Sequence, residues 1–450
     1  MMMTCSFSGQ VPKFPVVSKP SGLLFEKEVI EKHIRDYGKC PVTGDWLTMD
    51  DIIAITMGPR PEPYSNSDAQ AVNGSSSTNT KKTSERIVKV KTAAEKSEGS
   101  ITKVIEFHRK SLSQTRKNCR KISSSRANVN STLRGYTFNK SYTLHETSTP
   151  GVLSLDIDHS KDIIATGGAD SNAVVFELSS GKTSTLSGHS EKVTCVKFAN
   201  KGELVVTGSG DNSVRVWKKS EKGSYEFKGI FDHHTAEVRA VTIHPSQKYF
   251  VTAALDRTWQ LYDLSSESRV ACGMGSESFS TAVFHPDGHI FGTCATGTCK
   301  RDLGLVRFWD VAIQDEILNI DAHKGSEVTS IAFSENGYTL ATAARDGVKL
   351  WDLRFLRTME TLPSFDKNTR KRSVDFDHSG KYLATGGAHI SIYQITPAPD
   401  HIATFSDISG RGDMSCVKFG KDAKYVASAR TLDSKLLYFG PSGGYKSLNC

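Results

Sequence analysis

The chain has 450 residues, 37% hydrophobic and 24% charged, with a formal net charge of +8. That length leads us to expect two or three domains. No apolar run approaches the ~18 residues that cross a bilayer, and no signal-peptide core opens the chain, so a soluble protein with no membrane partner is expected. The nine cysteines are odd in number and contain no Cys-x-x-Cys pair, which points to reduced thiols and an intracellular home.

Residues 1–57 are expected to form a small domain. Residues 5–18 read as a loop with β-type segments, Ser21–Gly22 as a turn and residues 23–25 as a short strand. Residues 26–37 read as an amphipathic helix. Val29, Ile30, His33, Ile34 and Tyr37 share one face, and Gly38 stops it. A second loop follows at residues 39–44. Thr48 then caps a short helix, with Asp51 three residues on and Ile52, Ile53 and Ile55 as its apolar part. Cys5, His33 and Cys40 carry metal-ligand chemistry, but they are unpaired and few, so no metal is expected.

Composition changes at residue 58. Residues 58–100 are dominated by Pro, Ser, Asn, Thr, Gly and Lys and read as a disordered linker. Residues 101–121 read as a basic helix, with Ile101, Ile105, His108 and Leu112 on one face and Arg116-Lys117-Asn118-Cys119-Arg120-Lys121 at its end. Residues 58–140 hold 17 Lys and Arg against 6 Asp and Glu, so the basicity belongs to this connector. The cluster reads either as a nuclear import signal or nucleic-acid contact, or as a solvated helix end whose cations suit the helix dipole. Sustained a/d heptads are absent from it.

One pattern then returns seven times. Strands close on Phe176, Trp217, Tyr262, Trp309, Trp351, Tyr393 and Tyr438, which fall 41, 45, 47, 42, 42 and 45 residues apart. A period of about 40–45 residues with four short strands per unit is the signature of propeller blades. Each unit has a β-rich run, a tight turn and a run with small residues before its aromatic strand, and five units have an Asp turn (Asp170, Asp211, Asp256, Asp346, Asp433), the sixth having His389 near its turn and no Asp. Alternating apolar residues suggest half-buried strands. Residues 136–144 form a lone strand-like run ahead of the first unit, while the seventh unit stops soon after its aromatic strand. The early strand is therefore expected to complete the last blade. The expected fold is mainly β: a seven-bladed propeller over residues 136–441 behind a small α+β N-terminal domain. Arg370-Lys371-Arg372 reads as a blade loop, and Arg411-Gly412-Asp413 as a chance tripeptide.

The repeat resembles the WD repeat. That resemblance implies a hydrogen-bonded His, Ser, Asp and Trp inside each blade. The second unit carries His189, Ser209, Asp211 and Trp217. The fifth keeps His323, Asp346 and Trp351 with Ala344 at the expected Ser position, and the third keeps His234 and Asp256 with Ala254 and Tyr262. These are read as framework residues rather than a catalytic set, because packed strands must satisfy their buried polar groups.

Two loops flanking one helix without metal ligands resemble the U-box, a zinc-free relative of the RING fold. Cys-x-x-Ser-Gly-x-Val-Pro (5–12), Pro-Val-Val-Ser (15–18), Ser-Gly-Leu-Leu-Phe-Glu (21–26), Ile-Glu-Lys-His-Ile (30–34) and Gly-Lys-Cys-Pro-Val-Thr-Gly (38–44) resemble the U-box of the pre-mRNA-processing factor 19 family, especially plant members. His-Ser-Lys-Asp-Ile-Ile-Ala-Thr-Gly-Gly (159–168) and Phe-Ser-Glu-Asn-Gly-Tyr-x-Leu-Ala-Thr-Ala-Ala (333–344) in the repeats agree.

The resemblance implies a nuclear ubiquitin ligase associated with pre-mRNA splicing and DNA repair. Its partners would be a ubiquitin-conjugating enzyme carrying ubiquitin, a protein substrate and splicing-complex proteins, with no direct nucleic-acid binding. A U-box acts by proximity and orientation, so no catalytic residue and no cofactor is expected. The conjugating-enzyme contacts fall on Phe7 in the first loop, His33 on the helix and Pro41 in the second loop. The chain departs from the family at three points. Gly44 stands where many active U-boxes carry Arg or Asn, Gln10 stands where many relatives have Glu, and the central coiled coil that drives self-association is missing. The alternative reading is a catalytically weak or inactive WD-repeat scaffold.

Overall fold

A computed structural model describes residues 15–18, 24–40, 47–54, 129–146, 151–296, 303–362, 373–396, 399–405, 414–430 and 434–441. The linker, the basic helix, Arg370-Lys371-Arg372, the Arg411-Gly412-Asp413 tripeptide and Asp433 lie outside them. The chain divides into two compact units, residues 1–78 and 79–450.

In the first unit, β1 (Pro15–Ser18) lies between β2 (Leu24–Glu26) and β3 (Ile52–Ala54) in an antiparallel sheet. Helix α1 (Lys27–Tyr37) follows β2 directly. Its apolar positions recur at helical spacing, so Ile30 and Ile34 are buried with Val16, Phe25, Cys40 and Leu47. Burying such side chains stabilises by about 1.5–3 kcal/mol each. Gly38 ends the helix with φ +63°, and its N–H donates to the Ile34 carbonyl at 2.8 Å, a left-handed cap that a residue without Cβ adopts at low cost.

The expected second helix is corrected. Thr48 and Asp51 bracket a single 3-10 turn (Met49–Asp51), with the Asp51 carboxylate accepting from the Thr48 N–H at 3.0 Å and its hydroxyl at 2.6 Å. The chain then extends as β3, placing Ser18 opposite Ile52 and Val16 opposite Ala54. β-Branched isoleucines favour a strand, and β1 needs a partner on its second edge.

In the second unit, seven four-stranded antiparallel sheets form a seven-bladed propeller. The first strand of each blade meets that of the next, and the ring closes between blade 7 (Met414–Phe419) and blade 1 (Val152–Asp158). The chain runs outward through each blade, except that blade 7 takes its outer strand from the start of the unit. Strand β4 (Tyr136–Thr143) pairs with Lys435–Pro441, Thr143 opposite Lys435 and Tyr136 opposite Pro441. Tyr136 Oη donates to the Ala423 carbonyl, and a short helix α2 (Val129–Arg134), which the sequence reading lacks, buries Leu133 against blades 6 and 7.

The half-buried expectation fails for the second strands of the first three blades. Every residue of the second strands Ile163–Gly168, Leu204–Ser209 and Tyr249–Ala254 is buried. Blades pack face to face, so an inner strand has both faces covered. This explains the small residues there: a Cβ on Gly208 would stand 2.6 Å from Cys195 Sγ and 2.8 Å from Val238 of the next blade.

Candidate functional site: helix α1 and the hydrogen-bonded blades

Helix α1 turns its apolar stripe inward and leaves Lys27, Glu28, Lys32, Arg35 and Asp36 exposed. His33 lies on it half-buried, beside the buried Ile34. The segment after the second loop returns to the helix end, where the Leu47 N–H donates to the Gly38 carbonyl at 3.0 Å. Phe7, Gln10, Pro41 and Gly44 lie outside the described residues, so of the three expected contact residues the structure places His33.

In the blades, the hydroxyl of the network belongs to a threonine. In blade 2, Trp217 Nε1 donates to Thr207 Oγ1 at 3.0 Å, Thr207 Oγ1 lies 2.8 Å from His189 Nε2, and His189 Nδ1 lies 2.8 Å from Asp211. The carboxylate only accepts, so His189 Nδ1 carries the hydrogen and donates to it; Nε2 is then the acceptor, and the Thr207 hydroxyl donates to it while its oxygen accepts the Trp N–H. Ser209 is corrected: its hydroxyl donates to the Glu191 carbonyl at 3.0 Å and accepts the Asp211 N–H at 3.2 Å. Both side chains point to one face because they are two residues apart in a strand, but a register shift between Gly208 and Ser209 carries Ser209 into the turn.

The same correction applies to the other blades. In blade 5, Thr342 rather than position 344 bridges Trp351 (3.0 Å) and His323 (2.8 Å), with Asp346 at 2.7 Å from His323 Nδ1. In blade 3, Thr252 and Asp256 flank His234 at 2.7 and 2.9 Å. Blade 1 carries a set the sequence reading missed, His145 with Thr166 and Asp170, both at 2.9 Å. A cue existed: in all four blades the threonine stands four residues before the aspartate. In blade 4, Trp309 Nε1 donates to Thr293 Oγ1 at 2.8 Å.

These sets are framework. Thr166, Thr207, Thr252 and Thr342 are fully buried, so no substrate reaches their oxygens. Burial pushes the imidazoles of His145, His189 and His323 down from the usual histidine range, against the upward pull of their aspartates. Burial would raise Asp211, but hydrogen bonds from Ser213 and His189 outweigh it and bring the carboxyl to about 2. His234 and Thr258 likewise hold Asp256 well below the ordinary range, although burial opposes them.

Seven closed blades with these internal networks define a WD-repeat protein. The family model "WD domain, G-beta repeat" matches residues 180–218, 225–263 and 314–352. "Pre-mRNA-processing factor 19 homolog 2" of Arabidopsis thaliana is 40% identical over 530 aligned positions, covering 99% of this chain and 98% of the relative. "Pre-mRNA-processing factor 19" of Oryza sativa subsp. japonica is 38% identical over 98% of each chain. The Homo sapiens protein of that name is 32% identical over 66% of this chain and 57% of its own. The chain belongs to the pre-mRNA-processing factor 19 family. Since it has 450 residues, at least 80 of the 530 positions shared with the Arabidopsis relative face a gap in it. Among solved structures, "Structure of U3-55K" superposes with a TM-score of 0.56 at 15% identity, over 67% of this chain and 98% of that one, a likeness of fold.

Proposed function

We propose that this chain is a nuclear ubiquitin-protein ligase of a splicing-associated complex. What carries the reading is the similarity to the Arabidopsis relative, which runs through both units rather than the propeller alone. Residues 1–57 act as the U-box, with Phe7, His33 and Pro41 contacting the charged conjugating enzyme, and the propeller holds the substrate or a splicing partner. The substrate lysine, as the neutral amine, attacks the thioester carbonyl of ubiquitin. The conjugating enzyme's thiolate leaves, an isopeptide bond forms, and the amine's proton passes to solvent or the thiolate. The chain contributes proximity and orientation, which supply several kcal/mol of barrier lowering without a nucleophile of its own. Residues 58–100 act as a linker that lets one unit reach what the other holds.

A second reading, a WD-repeat scaffold with a weak or inactive U-box, draws on Gly44 and on the 80 or more skipped positions. The discriminating experiment is discharge of ubiquitin from a panel of charged conjugating enzymes onto free lysine, using the full chain and its Phe7→Ala variant. Acceleration that the variant loses supports the ligase. No acceleration with any enzyme, from a chain shown to be folded, refutes it and leaves the scaffold.

A further inference from the structure

The turn between the third and outer strands recurs in blades 1, 3, 4 and 5 and is most apolar in blade 5. After an apolar anchor (Leu264 and Val311 buried, Leu178 and Leu353 partly buried) it reads Ser-Ser-Gly in blade 1, Ser-Ser-Glu in blade 3 and Ala-Ile-Gln in blade 4. In blade 5 it reads Arg354-Phe355-Leu356. The last position is left-handed in each, with φ +72° at Gly181, +53° at Glu267, +62° at Gln314 and +50° at Leu356. The turn itself is built by the preceding aspartate: Asp263 caps Ser265 N–H at 2.7 Å, Asp310 caps Ala312 N–H at 2.8 Å and Asp352 caps Arg354 N–H at 3.0 Å. The turn therefore forms with Ser-Ser in blades 1 and 3, and blade 4 carries a single exposed apolar residue, Ile313, where blade 5 has Phe355 followed by Leu356. A leucine in the left-handed region and an exposed phenylalanine before it cost stability and answer no local need.

These side chains form a preorganised patch. Phe355 is 65% exposed, Leu356 47% and Tyr338, from the neighbouring turn, 46%. The Arg354 guanidinium lies 5.3 Å from the Tyr338 ring centre and 5.4 Å from that of Phe355, while Arg357 lies 5.1 Å from Phe355 on the same ladder. Arg354 is pinned by Asp352 at 3.0 and 2.7 Å. Tyr338 is held by its N–H to Asn336 at 2.8 Å, and its turn by His285 of blade 4 to the Gly337 carbonyl at 2.9 Å. A hollow of about 580 Å³ opens beside the ladder, with Met359 of blade 5 and Ile395 of blade 6 in its wall. Of its charged lining residues, Asp352 is already bonded to Arg354, which leaves Arg357 to meet an incoming anion. Aromatic and arginine side chains held in place beside a pocket have the composition of an interface hot spot.

We infer that this end of blades 5 and 6 docks an extended acidic segment of a partner protein, an apolar side chain entering the hollow and a flanking carboxylate meeting Arg357. The inference rests on the propeller's role as the partner-holding unit and adds where and by what chemistry it holds. To test it, a random dodecapeptide library displayed on phage is selected against the full chain, and the recovered peptides are labelled and measured by fluorescence anisotropy. The expected peptides carry Asp or Glu around an apolar residue. Their Kd rises at least tenfold for Phe355→Ser and for Arg357→Glu and stays unchanged for Phe227→Ser, an exposed apolar position on blade 2. Affinity also weakens from 50 to 300 mM salt. Phe355→Ser and Arg357→Glu melt no lower than the parent, since both side chains are exposed, and near-ultraviolet circular dichroism shows all three variants folded. Peptides without acidic residues, equal binding to the Phe355→Ser chain, or no recovered peptide overturns the inference. Ubiquitin discharge onto free lysine does not involve this patch, so its loss in the parent chain would refute the ligase alone.

Discussion

Replacing Thr207 by valine keeps the shape of the side chain and deletes only the hydroxyl. Two buried groups then lose a partner at once: Trp217 Nε1, now 3.0 Å from the oxygen, and His189 Nε2, 2.8 Å from it. Each stranded buried group costs about 1–3 kcal/mol, and with some relaxation we expect a loss of about 3 kcal/mol. For a domain of about 300 residues that lowers Tm by roughly 5 °C. Ser209→Ala also removes two bonds, to the Glu191 carbonyl and from the Asp211 N–H, but Glu191 is exposed and Asp211 half-buried, so water replaces the partner and the cost should be about 1 kcal/mol. Thr207→Ser restores the oxygen and should recover most of the loss. The assay is thermal unfolding of the full chain followed by tryptophan fluorescence, with near-ultraviolet circular dichroism confirming a packed start. If Ser209→Ala proves as damaging as Thr207→Val, the assignment of the bridging hydroxyl is wrong.

Gly208→Ala pushes a methyl toward Cys195 and Val238, and should destabilise by about 1–3 kcal/mol, read as a lower urea midpoint; an unchanged midpoint would mean the blades separate freely. Deleting residues 129–143 removes β4 and α2, leaves the outer edge of Lys435–Pro441 unpaired and should yield aggregating chain, detected by light scattering; a monomeric, fully cooperative variant would contradict the closure. The folded state holds His145, His189 and His323 below their unfolded range, so the unfolded chain binds more protons as pH falls below about 6.5. Propeller stability is therefore complete above that pH and declines from pH 7 to 5.5, and a Tm that rises over that interval would reverse the assignment. Asp211 adds a further loss in the same direction between pH 3.8 and about 2.

The blade count was legible because each unit ends on an aromatic beside the core, and the closing strand because one β-rich run stood without a partner in the repeat. The bridging hydroxyl was not. Thr207 and Ser209 share a strand face, and only the shift at Gly208 separates them. His145 was overlooked since it follows a strand that belongs to another blade, which breaks the local order of the repeat. In the first unit, Thr48 and Asp51 announce a helical start, but nothing in three consecutive apolar residues says that β1 lacks a neighbour, and that need decided β3.

The pairing of β4 with Lys435–Pro441 has a consequence for synthesis. Thr143 leaves the ribosome about 290 residues before its partner Lys435, a delay of ~15–60 s at ordinary elongation rates. Throughout that interval the nascent chain carries a strand with nothing to bind and a growing arc of blades with an open rim. A chain halted anywhere short of its last blade keeps both edges exposed. The ring thus distinguishes finished from unfinished polypeptide by topology, and truncated products should be marked out for chaperones and proteases by the one strand they cannot cover.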